Sequence, residues 1–215
     1  LLIAVNCSHA APTCFCASTG DGPEVLRGYD LLLDELDDGY LVRSGSPSGD
    51  ELLLKFPTIE ANDAQLATAR EQLESCRSQQ RALPSQEKLA KLMELLDHPA
   101  WDKVAETCLA CGNCTAVCPT CFCHREVESP SLDGKSSEHR RDWDSCFNED
   151  HSYLVGELVR PDIRTRYRQW MTHKLATWQE QYGRSGCVGC GRCMTWCPAA
   201  IDFVAQANTI LEDSE

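Results

Sequence analysis

Two stretches decide how this chain reads: Cys108-Leu109-Ala110-Cys111-Gly112-Asn113-Cys114-Thr115-Ala116-Val117-Cys118-Pro119 and Cys187-Val188-Gly189-Cys190-Gly191-Arg192-Cys193-Met194-Thr195-Trp196-Cys197-Pro198. Both follow C-x2-C-x2-C-x3-C-P, the ligand spacing of ferredoxin-type iron–sulfur proteins. Three cysteines so spaced sit on one tight loop that aims their thiolates at a common centre. The fourth follows a short helical turn and points away, so it serves the other cluster of a pair. The expected sites are one [4Fe–4S] cluster on Cys108, Cys111, Cys114 and Cys197 and a second on Cys187, Cys190, Cys193 and Cys118.

The plainer readings fit less well. A structural zinc site uses two C-x2-C pairs and has no need of a third close cysteine or a Cys-Pro. A disulfide framework conflicts with an odd total of fifteen cysteines and with the lack of a secretory signal pattern. Reduced thiols that assemble clusters point to the cytoplasm.

The net charge is −13, and residues 1–80 hold thirteen Asp/Glu against five Lys/Arg. That balance excludes the basic stripe of a nucleic-acid binder and fits a solvated acidic face. No apolar run is long enough to span a bilayer. Leu1-Leu2-Ile3-Ala4-Val5 reads as a strand entered midway, so residues 1–60 are expected to be the strand-rich end of a larger, truncated domain.

Within that part, strands are expected at Leu2–Val5, Tyr29–Leu36 and Tyr40–Val42, separated by turn-rich segments. Residues 61–104 read as a helical connector. Leu66, Ala69, Leu73 and Cys76 mark a helix over 61–81, broken before Pro84. Leu89, Leu92, Leu95 and Leu96 mark another that ends near Pro99. Cys76 on the apolar side of the first reads as a buried, inert thiol. Residues 105–215 form the dicluster module, carrying a helical insertion at 119–186. Inside it, Ser129–Ser137 reads as a polar loop and Ile163–Tyr182 as a helix with Tyr167, Trp170, Met171, Lys174 and Trp178 on one broad face. The fold class expected is α+β: a small strand-rich N-terminal part plus a helical dicluster ferredoxin-like module.

Six further thiols are unexplained by the two runs. Pro119-Thr120-Cys121-Phe122-Cys123 repeats Pro12-Thr13-Cys14-Phe15-Cys16 letter for letter. With Cys7 and Cys146, these cysteines make a possible third metal site drawn from Cys7, Cys14, Cys16, Cys121, Cys123 and Cys146. The competing reading makes them apolar thiols packed beside Phe15, Phe122 and Phe147. If the third site exists, another iron–sulfur cluster suits it better than zinc. Residues 140–192 carry nine Lys/Arg against seven acids, a nearly neutral segment in an acidic chain. Those cations either tune the clusters and dock a partner or form an ordinary solvated helix face. His124 and His173 read as polar contacts, and the five tryptophans as core or interface aromatics.

The sequence contains no Rossmann fingerprint, Walker A, G-x-S-x-G or H-E-x-x-H pattern. With no substrate site of its own, the chain is expected to move electrons between partner subunits.

Several longer stretches resemble a known family. They are Ala4-Val5-Asn6-Cys7 with Thr13-Cys14-Phe15-Cys16-Ala17, Trp101-Asp102, Pro119-Thr120-Cys121-Phe122-Cys123, Arg141-Asp142-Trp143-Asp144-Ser145-Cys146-Phe147 and Arg166-Tyr167-Arg168-Gln169-Trp170. Together with the two runs, they resemble the iron–sulfur β subunit of cytoplasmic NAD(P)-linked [NiFe] hydrogenases (sulfhydrogenases) and its relative, the A subunit of anaerobic sulfite reductase. The resemblance implies a relay between a flavin subunit that handles NAD(P)H and the small and large subunits of a [NiFe] core. It places the cluster ligands on the eight cysteines of the two runs and favours a third cluster among the six extra thiols. A sulfite reductase assembly and a cluster-based redox sensor are the rival readings; the acidic charge counts against a DNA-binding sensor.

Overall fold

The computed structural model describes residues 1–212, so the last three residues of the expected 105–215 module lie outside it. The chain has the α+β character its sequence implies and divides into two compact units. One comprises Leu1–Ala82 together with Val188–Cys190; the other comprises Leu83–Cys187 and the chain from Gly191 onward.

In the first unit, β1 (Ile3–Val5) lies parallel to β2 (Leu31–Leu36), and β2 turns into antiparallel β3 (Gly39–Ser44). Leu31 and Leu32 bury their side chains, and so does Asp34. The buried carboxylate is satisfied on both oxygens, by Asn6 Nδ2 at 2.7 Å and by Arg43 Nη2 at 2.8 Å. A one-turn helix α1 (Cys16–Thr19) carries the first C-x-C pair into a left-handed cap at Gly20. Helix α2 (Pro47–Leu53) starts at Ser46, whose hydroxyl accepts from Gly49 N–H at 3.2 Å.

Helix α3 (Asp63–Arg77) opens with a reciprocal capping box between Asn62 and Gln65. It packs on the sheet with Ala69, Leu73 and Cys76, as the apolar spacing requires, while Leu66 stays at the margin. It stops four residues before the expected end at Arg81. The reason is tertiary: Gln79 leaves the helix to clamp α1, its amide oxygen accepting from Ala17 N–H (3.0 Å) and its amide nitrogen donating to Cys16 Sγ (3.2 Å).

The second unit opens with α4 (Gln86–Ala90), a 3-10 turn (Lys91–Met93) and α5 (Ala100–Thr107). The four spaced leucines predicted one longer helix here. It ends early because its outer carbonyls bond to side chains: Leu95 C=O accepts from Trp101 Nε1 (2.8 Å) and Leu96 C=O from Arg168 Nη1 (2.6 Å). After α6 (Asn113–Ala116), the insertion expected to be helical begins instead with a β-hairpin, β4 (His124–Pro130) and β5 (Ser137–Trp143). The polar loop expected at 129–137 is its tip. Neither strand has an apolar face; cross-strand charge pairs line it, such as Arg141–Glu126 at 3.3 Å. A two-residue ladder, β6 (Tyr153–Leu154) with β7 (Glu157–Leu158), leads to the long helix.

That helix runs without interruption from Ile163 to Tyr182, as α7 (Ile163–Thr172), a π-helical turn (His173–Thr177) and α8 (Trp178–Tyr182). Asp162 caps it, accepting from Thr165 N–H at 2.7 Å. Its buried face carries Tyr167, Trp170, Met171 and Leu175. Edge-to-face contacts tie Trp170 to Phe147 (5.7 Å) and to Phe203 (4.9 Å) of the terminal helix α10 (Phe203–Glu212), which follows α9 (Arg192–Thr195). Of the tryptophans expected to be core or interface residues, Trp101 and Trp170 are buried, whereas Trp143 and Trp196 lie open.

Candidate iron–sulfur sites

The first run departs from the end of α5, where Cys108 takes an extended conformation. Ala110 and Gly112 then adopt left-handed backbone, with φ of 50° and 74°. For Ala110 this costs energy that only a required loop shape recovers. The shape turns the Ala110 N–H onto Cys108 Sγ at 3.4 Å. Thr115 locks the loop from below, its hydroxyl donating to Gly112 C=O (2.7 Å) and lying 2.8 Å from the Ser145 hydroxyl. The short helix α6 carries Cys114, and Cys118 follows its last turn. The second run repeats the pattern: Gly191 is left-handed, Thr195 donates to its carbonyl at 3.2 Å, and Ala200 N–H lies behind Cys197 at a φ of 51°. Ala110 and Gly189 hold equivalent places in the two runs and both are left-handed, as are Gly112 and Gly191, so the loop shape and not the residue type dictates the backbone.

Cys108, Cys111, Cys114 and Cys197 converge on one cavity of about 450 Å³, part of it open to solvent. Phe147, Tyr167, Trp170 and Phe203 wall its inner side, and Cys193 also reaches it. Burial first, then the neighbouring Cys108 and Cys111, push the Cys114 thiol up to about 12. Burial raises Cys108 as well, eased by the Ala110 N–H. These thiols sit close enough to repel one another as thiolates. A metal that takes up their charge relieves that repulsion.

The walls test whether a cluster fits. Among the described residues, the Tyr167 hydroxyl and Trp170 Nε1 are buried with no hydrogen-bond partner. A buried orphan donor costs about 1–3 kcal/mol. The Tyr167 hydroxyl is pushed well above its ordinary range, by burial first and then by Cys114, Cys193, Cys108 and Cys197. An anionic, sulfur-rich group among those thiols would give both donors an acceptor. The residues fit a [4Fe–4S] cluster.

The second set is arranged differently. Cys118, Cys187 and Cys193 belong to the second unit and Cys190 to the first. Cys118 is held low, chiefly by a hydrogen bond from the Cys121 thiol and further by the Lys174 ammonium, against burial. Cys121 is correspondingly raised. Thr120 joins them, its hydroxyl donating to Gly186 C=O at 2.6 Å.

The six extra thiols divide evenly between the units. In the first, Cys7 is raised by burial and then by the neighbouring Cys16 and Cys14. Cys76 is buried, as expected, and donates to Cys7 C=O at 3.2 Å. Also in this unit, Gly189 lies against the first C-x-C pair: its carbonyl accepts from Phe15 N–H at 2.8 Å. In the second unit, Cys123 is lowered by a hydrogen bond from Cys146 and by His151 and His173, while Cys146 is raised with Cys121 and Cys114 near it. His151 is itself held 3.0 Å from Asp144. Phe15 and Phe147 are buried beside these thiols, and Phe122 is exposed. Among the described residues, no three His, Cys, Asp or Glu side chains converge as a single-ion site. A cubane spreads its thiolates wider than a single ion does.

Sequence reasoning named the cysteines and counted Lys174 among the cations that could tune the clusters without singling it out, but missed Tyr167 and Trp170 as parts of the sites. An orphan donor is visible only in three dimensions, and so is which of nine cations lies buried beside a thiol.

The comparisons with known proteins agree with this chemistry. Residues 107–201 match the 4Fe-4S dicluster domain, which is the class of iron–sulfur domain that this stretch resembles. Over 203 residues, 93% of its length, it is 34% identical to the sulfhydrogenase 2 subunit beta of Pyrococcus furiosus. The chain is thus a relative of the iron–sulfur β subunit of sulfhydrogenases, and it spans 60% of that protein's length. No solved structure matches it. Among the described residues, no helix is long and apolar enough to cross a membrane.

Proposed function

We propose that this chain is the electron-relay subunit of a larger redox complex. It would connect a flavin subunit that handles NAD(P)H with a [NiFe] hydrogenase core, operating in the reducing cytoplasm. The observation that carries the reading is the convergence of Cys108, Cys111 and Cys114 from one run with Cys197 from the other, around a cavity lined by orphan donors. The relative's description as a sulfhydrogenase subunit supports the choice of partners.

Two [4Fe–4S] clusters would supply single-electron transfer, one on Cys108, Cys111, Cys114 and Cys197 and one on Cys187, Cys190, Cys193 and Cys118. The protein's part is to hold and shield them. Phe147, Trp170 and Phe203 keep water from one side of the first cavity, which lowers the local dielectric. The Tyr167 hydroxyl and Trp170 N–H stand ready to bond to sulfur, which favours the reduced state. A third iron–sulfur cluster is the role we assign to Cys7, Cys14, Cys16, Cys121, Cys123 and Cys146, four of which would suffice.

Anaerobic co-purification from the native host tests the assignment. A flavin subunit and a nickel-containing subunit should accompany the chain. A siroheme partner would move it to a sulfite reductase assembly, and purification without any redox partner would contradict the relay.

A further inference from the structure

Lys174 occupies the π-helical turn in the middle of the long helix, and it is 3% exposed. π turns recur at functional positions because they redirect side chains that a regular helix would align elsewhere. Its Nζ donates to Thr120 Oγ1 at 2.9 Å and to Gly186 C=O at 3.2 Å, and it stands 5.6 Å over the Trp178 ring. Among the described residues no carboxylate pairs with it. A buried ammonium without a counter-charge is costly, and removing its partner costs more than the pair is worth. The Thr120 hydroxyl that accepts from it lies 3.2 Å from Cys118 Sγ, so a single hydroxyl separates the ammonium from that thiol. The negative charge this lysine is built to meet is therefore sulfur.

The other run has a cation nearby as well, but a different one. Arg166, also buried, lies close to Cys108 and is partly neutralised by Glu149 at 3.4 Å. Its remaining donors bond to the Asp162 and Phe147 carbonyls at 3.2 Å and 3.0 Å. Its field at the first cavity is weakened accordingly. Lys174 also donates to a carbonyl, but among the described residues no carboxylate offsets its charge as Glu149 offsets that of Arg166.

We propose that Lys174 is a fixed positive counter-charge for the cluster held by Cys118 and Cys187, and that it makes this cluster the higher-potential of the two. The inference rests on the reading that a cluster binds there. Reduction adds one electron to an already anionic centre, so a buried cation one hydroxyl away from its ligand stabilises the reduced form more than the oxidised one. Electrons entering the pair would rest at this cluster before leaving.

The test is an anaerobic redox titration followed by EPR, on wild type, Lys174→Met and Lys174→Arg, with iron counted on each sample. Lys174→Met should lower the midpoint of one centre, the one whose spectrum Cys118→Ser disturbs, and leave the other unchanged. Lys174→Arg, which keeps the charge, should stay near wild type. Full iron with both midpoints unmoved in Lys174→Met, or a shift confined to the centre that Cys197→Ser disturbs, would overturn the proposal. Wild-type protein without iron would instead defeat the cluster reading itself. Should Lys174→Met lose its iron, pulsed EPR on reduced wild-type protein labelled with 15N-lysine decides. A 15N coupling in the higher-potential centre is expected, and its absence refutes the proposal.

Discussion

At the scale of single residues, the account rests on which atoms face sulfur. The Tyr167 hydroxyl is buried, unpartnered and surrounded by thiols. Tyr167→Phe removes that oxygen and nothing else. In the loaded protein we expect the midpoint of the Cys108 cluster to fall, because a hydrogen bond to its sulfur is lost. In cluster-free protein the same change should be neutral or slightly stabilising, since an orphan donor disappears. Thermal melts of both forms check the pair of expectations, and destabilisation of the cluster-free protein would show that the hydroxyl serves another partner. The exchanged fourth cysteines make a second residue-scale prediction. Cys118→Ser should damage the cluster on Cys187, Cys190 and Cys193, whereas Cys197→Ser should damage the cluster on Cys108, Cys111 and Cys114. EPR of the two variants separates them, and the reverse pattern would mean that each run keeps its own fourth ligand.

At the scale of elements, loops with forced backbone matter more than helices. Gly189 has a φ of +64°, and a Cβ there would lie 2.4 Å from both the Cys16 nitrogen and Cα. Gly189→Ala must therefore strain the loop and push the first C-x-C pair aside. A loss of about 1–3 kcal/mol is expected from the conformation alone, measurable by chemical denaturation. Unchanged stability would show that the loop can move freely from Cys16. The elements also show what a sequence reveals. The helix from Ile163 was legible because Tyr167, Trp170 and Met171 recur at helical spacing and are buried. The hairpin of β4 and β5 was not, because all but two of its strand residues are exposed and the strands pair charges without an apolar stripe. The early ends of α3 and α4 were also invisible: Ala17 and Cys16 hold Gln79 from 62 and 63 residues back, Arg168 claims the Leu96 carbonyl from 72 residues ahead, and Trp101 folds back on the Leu95 carbonyl.

At the scale of the molecule, the cluster chemistry was readable from cysteine spacing because the ligand loops are local. Which thiols face each other is partly non-local. Cys197 reaches the first run's cavity from 83 residues beyond Cys114. The six extra cysteines could be listed from the sequence but not grouped, and they fall three to each unit. The central claim is that this chain holds iron–sulfur clusters for electron transfer. The most direct test is iron, acid-labile sulfide and zinc per chain on anaerobically purified protein. The account predicts iron and sulfide in equal amounts, about eight of each for two cubanes and about twelve with the third cluster. Zinc with little iron would contradict it.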